Sequence, residues 1–148
     1  VADGAEVAVR ILDIGCGQNK TPGAIGVDVN PATQADVLAD ADRASLPFAD
    51  DTFDQIVCRH IVEHVADLVR FMEEVHRVSK QGARVEIVTP HFSNRYSFAD
   101  PTHVRRLAWR SLDYFAEEPF CLSLLNRLFE TRHPIPGFYS QARFRVRR

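Results

Sequence analysis

The chain has 148 residues, 45% of them apolar and 26% charged, which suits one globular domain and excludes disordered, collagenous and coiled-coil readings. No apolar run approaches the roughly 18 residues a membrane span needs, and no signal-peptide pattern opens the sequence. The net charge of −2 hides an asymmetry: residues 1–90 hold 8 basic against 15 acidic side chains, and residues 91–148 hold 10 against 5. The basic side chains of the second half are all arginine; they suit a solvated surface first and an anionic small molecule second. With no dense basic run before Arg143, nucleic acid is not an expected partner. Three widely spaced cysteines, Cys16, Cys58 and Cys121, fit a reducing cytoplasm better than a disulfide framework, and they lack zinc-site spacing.

In chain order, residues 8–14 (AVRILDI) form an apolar, branched run ending at Gly15, the signature of a strand buried inside a parallel sheet. A glycine-rich loop follows. A second strand covers 24–30 and carries Asp28 before Asn30-Pro31, and a short third strand is expected at 36–39. The acidic stretch 40–51, broken by Pro47, reads as loop, and 53–58 as a fourth strand. Apolar residues at Val62, Val65, Leu68, Val69, Met72, Val75 and Val78 recur at spacings of three and four, predicting an amphipathic helix over 62–79 with Gly82 at its left-handed C′ position. A fifth strand is expected at 83–89. Beyond Pro90 a long polar-aromatic loop leads to helical stretches at 103–116 and 120–130 and a terminal strand at 140–146. Strands alternating with crossovers give an α/β, mostly parallel sheet.

The chemistry starts at Asp13-Ile-Gly-Cys-Gly17. Glycines after a buried strand let the backbone turn and approach a ligand closely. Asp28, 11 residues after Gly17 at the end of the next strand, offers acceptor-only oxygens to both hydroxyls of a ribose; the competing reading is a turn residue before Asn30-Pro31. A dinucleotide fingerprint would place its third glycine at Lys20 and its acid about 20 residues on. Both fail here, which argues against a nicotinamide cofactor.

These segments (ILDIGCGQN, GVDVNP, LPFADDTFDQIVCRHIVEHV and VHRVSKQGARVEIVTP) resemble the class I S-adenosylmethionine-dependent methyltransferases, in particular the type 11 group. HFSNRYSFADPTHVRRLAWRSLDYF is similar to a bacterial branch of that group with a PHFS…DPTH stretch after the fifth strand. The resemblance implies a Rossmann-like, mostly parallel seven-stranded sheet with helices on both faces and an antiparallel final hairpin, of which one strand, or part of the substrate lid, is expected to be missing here. It implies one domain over 1–148, with 1–90 as the cofactor-binding half and 91–148 as the substrate side. It further implies that Gly15, Cys16 and Gly17 contact the methionine portion of S-adenosylmethionine, with Asp13 supporting its amino group. Asp28 would hold the ribose and Val29 pack against the adenine, Asp40 or Asp42 would reach the adenine edge, and Arg59 and His60 would line the methionine end. The family's third motif glycine is Asn19 here.

Methyl transfer to a hydroxyl or protonated amine needs a base. His91 and His103, with Asp100 to orient an imidazole, are the catalytic candidates; the competing reading makes Asp100-Pro-Thr-His103 a helix N-terminus. His64 reads as a structural histidine. A metal on His91, Asp100 and His103 is not expected, because their spacing is unlike marked metal sites. The expected activity is methyl transfer to an O or N atom of a small molecule. The rivals are a cofactor-binding protein without transfer and a nucleotide-dependent reductase.

Overall fold

The computed structural model describes residues 8–116 and 140–145. Its strands are β1 (Ile11–Ile14), β2 (Ile25–Asp28), β3 (Val37–Leu38), β4 (Phe53–Arg59) and β5 (Ser79–Val88), with helices α1 (Leu68–Val78) and α2 (Tyr96–Ala99). The five strands form one sheet in the order β3-β2-β1-β4-β5, every described pair parallel. This is the expected Rossmann-like α/β class. No described helix is long and apolar enough to cross a membrane.

Side chains alternate across a pleated sheet, so the register assigns them to faces. Leu12 lies beside Ile25 and Ile56, and Ile14 beside Val27 and Cys58. These side chains belong to the hydrophobic core with Phe71, Met72, Val75 and Val78 of α1. Fully burying an apolar side chain of this size contributes about 1.5–3 kcal/mol. The rows between them put Asp13 beside Gly26 and Val57, and Val57 beside Glu86. That face carries charge. Its cover includes the ten-residue connection 15–24, drawn down by a hydrogen bond from the Thr21 N–H to Asp13 Oδ2 (2.7 Å). Gly26 makes this approach possible, since a Cβ there would stand 2.9 Å from Cys16 Sγ and 2.6 Å from Lys20 Cδ.

The chain winds from β1 outward to β3, then returns past β1 to β4 and β5. Right-handed crossovers therefore put the β3–β4 and β4–β5 connections on one face. Hydrogen bonds join them there: Glu74 of α1 accepts the Leu46 N–H, and Arg77 donates to the Leu46 and Phe48 carbonyls. The reversal between β1 and β4 opens the crevice where ligands of such sheets bind, beyond the carboxyl ends of the strands.

Three expected elements differ. The helix of 62–79 begins only at Leu68, because Asp42 Oδ1 holds the N–H groups of Ala66 and Asp67, and Asp67 caps the helix by accepting from the Arg70 N–H. Gly82 is left-handed (φ +81°) but lies within β5, where the register against β4 is irregular, and Ser79 is the helix C-cap. The helix expected at 103–116 is replaced by turns and extended chain with a 3-10 turn at Asp113–Phe115. Val104 and Arg105 give their N–H groups to the Glu63 carbonyl, a pairing incompatible with a helix there. Of the terminal strand, Phe144 makes one isolated parallel bridge with Ala116 and packs its ring edge-on against His76. The helix of 120–130 and Val146 lie outside the described residues.

Candidate functional site

The glycine loop and Asp28 meet at the carboxyl ends of β1 and β2. Gly15 (φ +70°) and Gly17 (φ +53°) take the left-handed turns their sequence suggested. The Gly15 and Cys16 N–H groups both donate to the Val27 carbonyl, and the Gly17 N–H donates to Asp28 Oδ2 at 3.0 Å. Asp28 Oδ1 accepts the Asn30 N–H at 2.9 Å. An ionised carboxylate has about four acceptor positions, so two remain for a ligand. A Cβ built on Gly17 meets nothing within 4 Å, so the loop borders open space. Val29, beside it, is 68% exposed.

Other residues of the expected cofactor set hold the scaffold. Asp13 is buried and pins Thr21, while the Cys16 side chain is buried against Gly26. Burial works to raise the Asp42 carboxyl, but the N–H groups of Asp67 and Ala66, with Arg43 and Arg105 nearby, outweigh it and leave it below its ordinary value. Asp42 is thus engaged with the turn before α1, whereas Asp40 accepts the Asp42 N–H and lies 3.8 Å from Arg43. Arg59 joins Glu86 (3.1 Å) and Thr21, tying the glycine-loop connection to β5.

A second feature lies just past β4 and β5: a cavity of about 550 Å³ lined by His60, Glu63, His64, Thr89, Pro90, His91, Asn94, Tyr96, Asp100 and His103. The three catalytic candidates therefore share one space with His60. His60 has φ +55°, a strained conformation for a residue with a side chain, and its N–H donates to the Val88 carbonyl. His91 Nδ1 lies 2.8 Å from Ser93 Oγ. His103 is nearly buried, with Nδ1 3.4 Å from the Ser97 carbonyl and Nε2 3.8 Å from Asp100 Oδ2. Asp100 Oδ1 accepts both the Thr102 hydroxyl and N–H, which hold its carboxyl below the usual range. Asp100 closes that turn as a cap does, though no helix follows it.

Glu63 and His64 were not anticipated here. Glu63 is 2% exposed; its Oε2 accepts the Thr89 hydroxyl (2.9 Å), while Oε1 has no hydrogen-bond partner among the described residues and lies 3.4 Å from His60 Nδ1. His64 Nδ1 faces Thr102 Oγ1 at 3.0 Å, and its ring stands edge-on to His103 with centroids 4.8 Å apart. Periodicity placed Glu63 on the solvent face of a helix that starts five residues later. The available signal was density: His60-Ile-Val-Glu-His64 sets three titratable groups in five residues at a strand end.

Residues 12–87, just over half of the chain, match the family described as a methyltransferase domain. An uncharacterized methyltransferase of Bacillus subtilis, YcgJ, is 39% identical over 71 residues, covering 41% of this chain and 28% of the relative. A probable S-adenosylmethionine-dependent methyltransferase of Mycolicibacterium smegmatis is 30% identical over 120 residues, covering 66% and 46%. Among solved structures, a SAM-dependent methyltransferase from Archaeoglobus fulgidus superposes with TM-score 0.61 at 25% identity, covering 73% of this chain and 58% of that one. The YcgJ structure gives 0.57 at 27%, covering 82% and 60%. The chain spans less than half the length of these curated relatives. Its glycine turn, its Asp28 and its strand order fall within the matched segment, and the chain belongs to the methyltransferase-domain family.

Proposed function

We propose that this chain binds S-adenosylmethionine at the ends of β1, β2 and β3 and takes part in methyl transfer to an oxygen or nitrogen of a small molecule seated in the histidine-lined cavity. The observation that carries the reading is the Gly17–Asp28 contact, which sets a ligand-accessible turn beside a carboxylate with spare acceptor positions. Asp28 would hold the ribose hydroxyls, Val29 the adenine face and Asp40 the adenine edge; Gly15 and Gly17 would leave room for the methionine portion, and His60 would border it. When bound, the cofactor supplies a methyl group on a positively charged sulfur. The protein's part is then to hold an acceptor in line and keep it there, which supplies much of the acceleration in such displacements. His91 and His103 flank the acceptor and take its proton, imidazole being suited to that near neutral pH. The excess of arginine after residue 90 favours an anionic acceptor, and three cysteines too widely spaced for a disulfide framework favour a reducing cytoplasm.

Calorimetric titration with S-adenosylhomocysteine, followed by transfer of labelled methyl groups to fractionated cell extract, tests the reading. Binding with label appearing in a small molecule is the expected result. No heat at millimolar ligand overturns it, and binding without transfer to any fraction reduces it to the cofactor site alone.

A further inference from the structure

We propose that Glu63, His64 and His103 form a binding site for a divalent transition-metal ion, zinc above all, with its open coordination position facing the cavity. One ligand atom from each of the three lies within 4.8 Å of the other two. His91 and Asp100, the partners considered for His103 from sequence, are not part of this group. The mixed donor set of two imidazoles and one carboxylate is that of an open zinc site.

An independent observation points to a missing partner. Glu63 is almost wholly buried, yet its Oε1 has no hydrogen bond among the described residues. A buried carboxylate oxygen that makes no hydrogen bond, with the His60 ring 3.4 Å away as its ion-pair neighbour when protonated, costs free energy that a cation would recover. The outer contacts also suit ligation. Thr89 holds Glu63 Oε2 and leaves Oε1; Thr102 faces His64 Nδ1 and leaves Nε2. The Ser97 carbonyl faces His103 Nδ1, fixing the tautomer that presents Nε2. Metal-bound imidazoles are commonly oriented by such a contact on the other ring nitrogen. Zinc bonds of 2.0–2.1 Å set ligand atoms roughly 3.3–3.5 Å apart in a tetrahedron, so binding draws the three ligand atoms together by up to roughly 1.4 Å. With an ion in place, His103 serves as a ligand and His91 remains as the proton acceptor.

The test uses the purified chain stripped with a chelator and titrated with zinc against a chromophoric competitor, with metal content measured after dialysis. Wild type is expected to retain one zinc per chain and Glu63→Gln and His103→Ala to bind at least 100-fold more weakly, while His76→Ala, on α1 outside the cavity, behaves as wild type. Cobalt(II) loading of the wild type gives a second readout that needs no variant: intense visible absorption signals a low-coordinate site of nitrogen and oxygen ligands. Substoichiometric zinc, weak octahedral-type cobalt spectra, or equal affinity in wild type and Glu63→Gln each overturn the proposal. None of these measurements involves the methyl donor, so they stand or fall apart from the reading above.

Discussion

Gly17 and Asp28, 11 residues apart in sequence, are joined by a 3.0 Å hydrogen bond from the glycine N–H to the carboxylate. The contact spans the ends of two neighbouring parallel strands, so it fixes the loop relative to the acid that a sugar would meet. Substituting Asp28 by Ala removes an acceptor for both the loop and the ligand. The expected loss in S-adenosylhomocysteine affinity is about 1–3 kcal/mol, the size seen for hydrogen bonds to a charged group. Asp28→Asn keeps the shape and retains part of the binding. Calorimetry on both variants checks this, and unchanged affinity in Asp28→Ala would remove Asp28 from the cofactor site.

The two turn glycines should respond differently to a methyl group. At Gly15 an added Cβ stands 2.9 Å from Ile61 Cδ1 and 3.0 Å from Ile61 Cβ, with φ at +70°. Gly15→Ala therefore combines left-handed strain of about 1–2 kcal/mol with overpacking of about 1–3 kcal/mol. Gly17→Ala meets no atom within 4 Å, so its stability cost is the strain alone, about 1–2 kcal/mol. Its ligand affinity should nevertheless fall at least tenfold as the Cβ enters the cleft. Denaturant unfolding separates the two glycines. An Ile61→Ala background should recover part of the Gly15→Ala loss and none of the Gly17→Ala loss.

What was legible in the sequence was local. Leu12, Ile14, Val27 and Ile56 declare buried strands by their type and their neighbours, and the turn at Gly15 and Gly17 follows from residues that tolerate positive φ. The remainder depended on partners far along the chain. The start of α1 is set by Asp42, whose carboxylate takes the Ala66 and Asp67 N–H groups from 24 and 25 residues away. Residues 103–116 have helical spacing, yet the Glu63 carbonyl captures two of their N–H groups. That same return brings His103 onto His64 and creates the cluster around Glu63. A periodicity argument has no means of seeing a contact across 40 residues.

Arg77 joins α1 to the β3–β4 connection, and its loss should be felt strongly. Its guanidinium reaches both oxygens of Glu74, Asp50, and the carbonyls of Leu46 and Phe48. Arg77→Met strands the largely buried Glu74 carboxylate and is expected to cost about 3–5 kcal/mol. Arg77→Lys keeps the charge but not the planar fork, and recovers only part of that. The pH dependence has a definite sign. Arg77 first, then the Leu46 N–H, hold the Glu74 carboxyl below its ordinary value against the effect of burial. Its contribution is therefore complete above the unfolded carboxyl pKa of about 4.3 and is lost as pH falls through the lower folded value. Urea unfolding from pH 7 to pH 3 should show the gap between wild type and Arg77→Met narrowing only at the acid end.

His60 is held in the left-handed region (φ +55°) at the carboxyl end of β4, with its ring 65% exposed at the cavity and 3.4 Å from Glu63 Oε1. Left-handed backbone costs a residue with a Cβ about 1–2 kcal/mol relative to glycine, offset in part by the greater freedom glycine gains when unfolded. His60→Gly should therefore leave stability unchanged or raise it by up to about 1 kcal/mol. If the side chain serves the ligands of this cavity, the same variant should lose methyl-transfer activity while folding as well as wild type. Thermal unfolding and activity measured side by side test both halves. A destabilised His60→Gly would mean instead that the imidazole supports the fold, through its contact with buried Glu63.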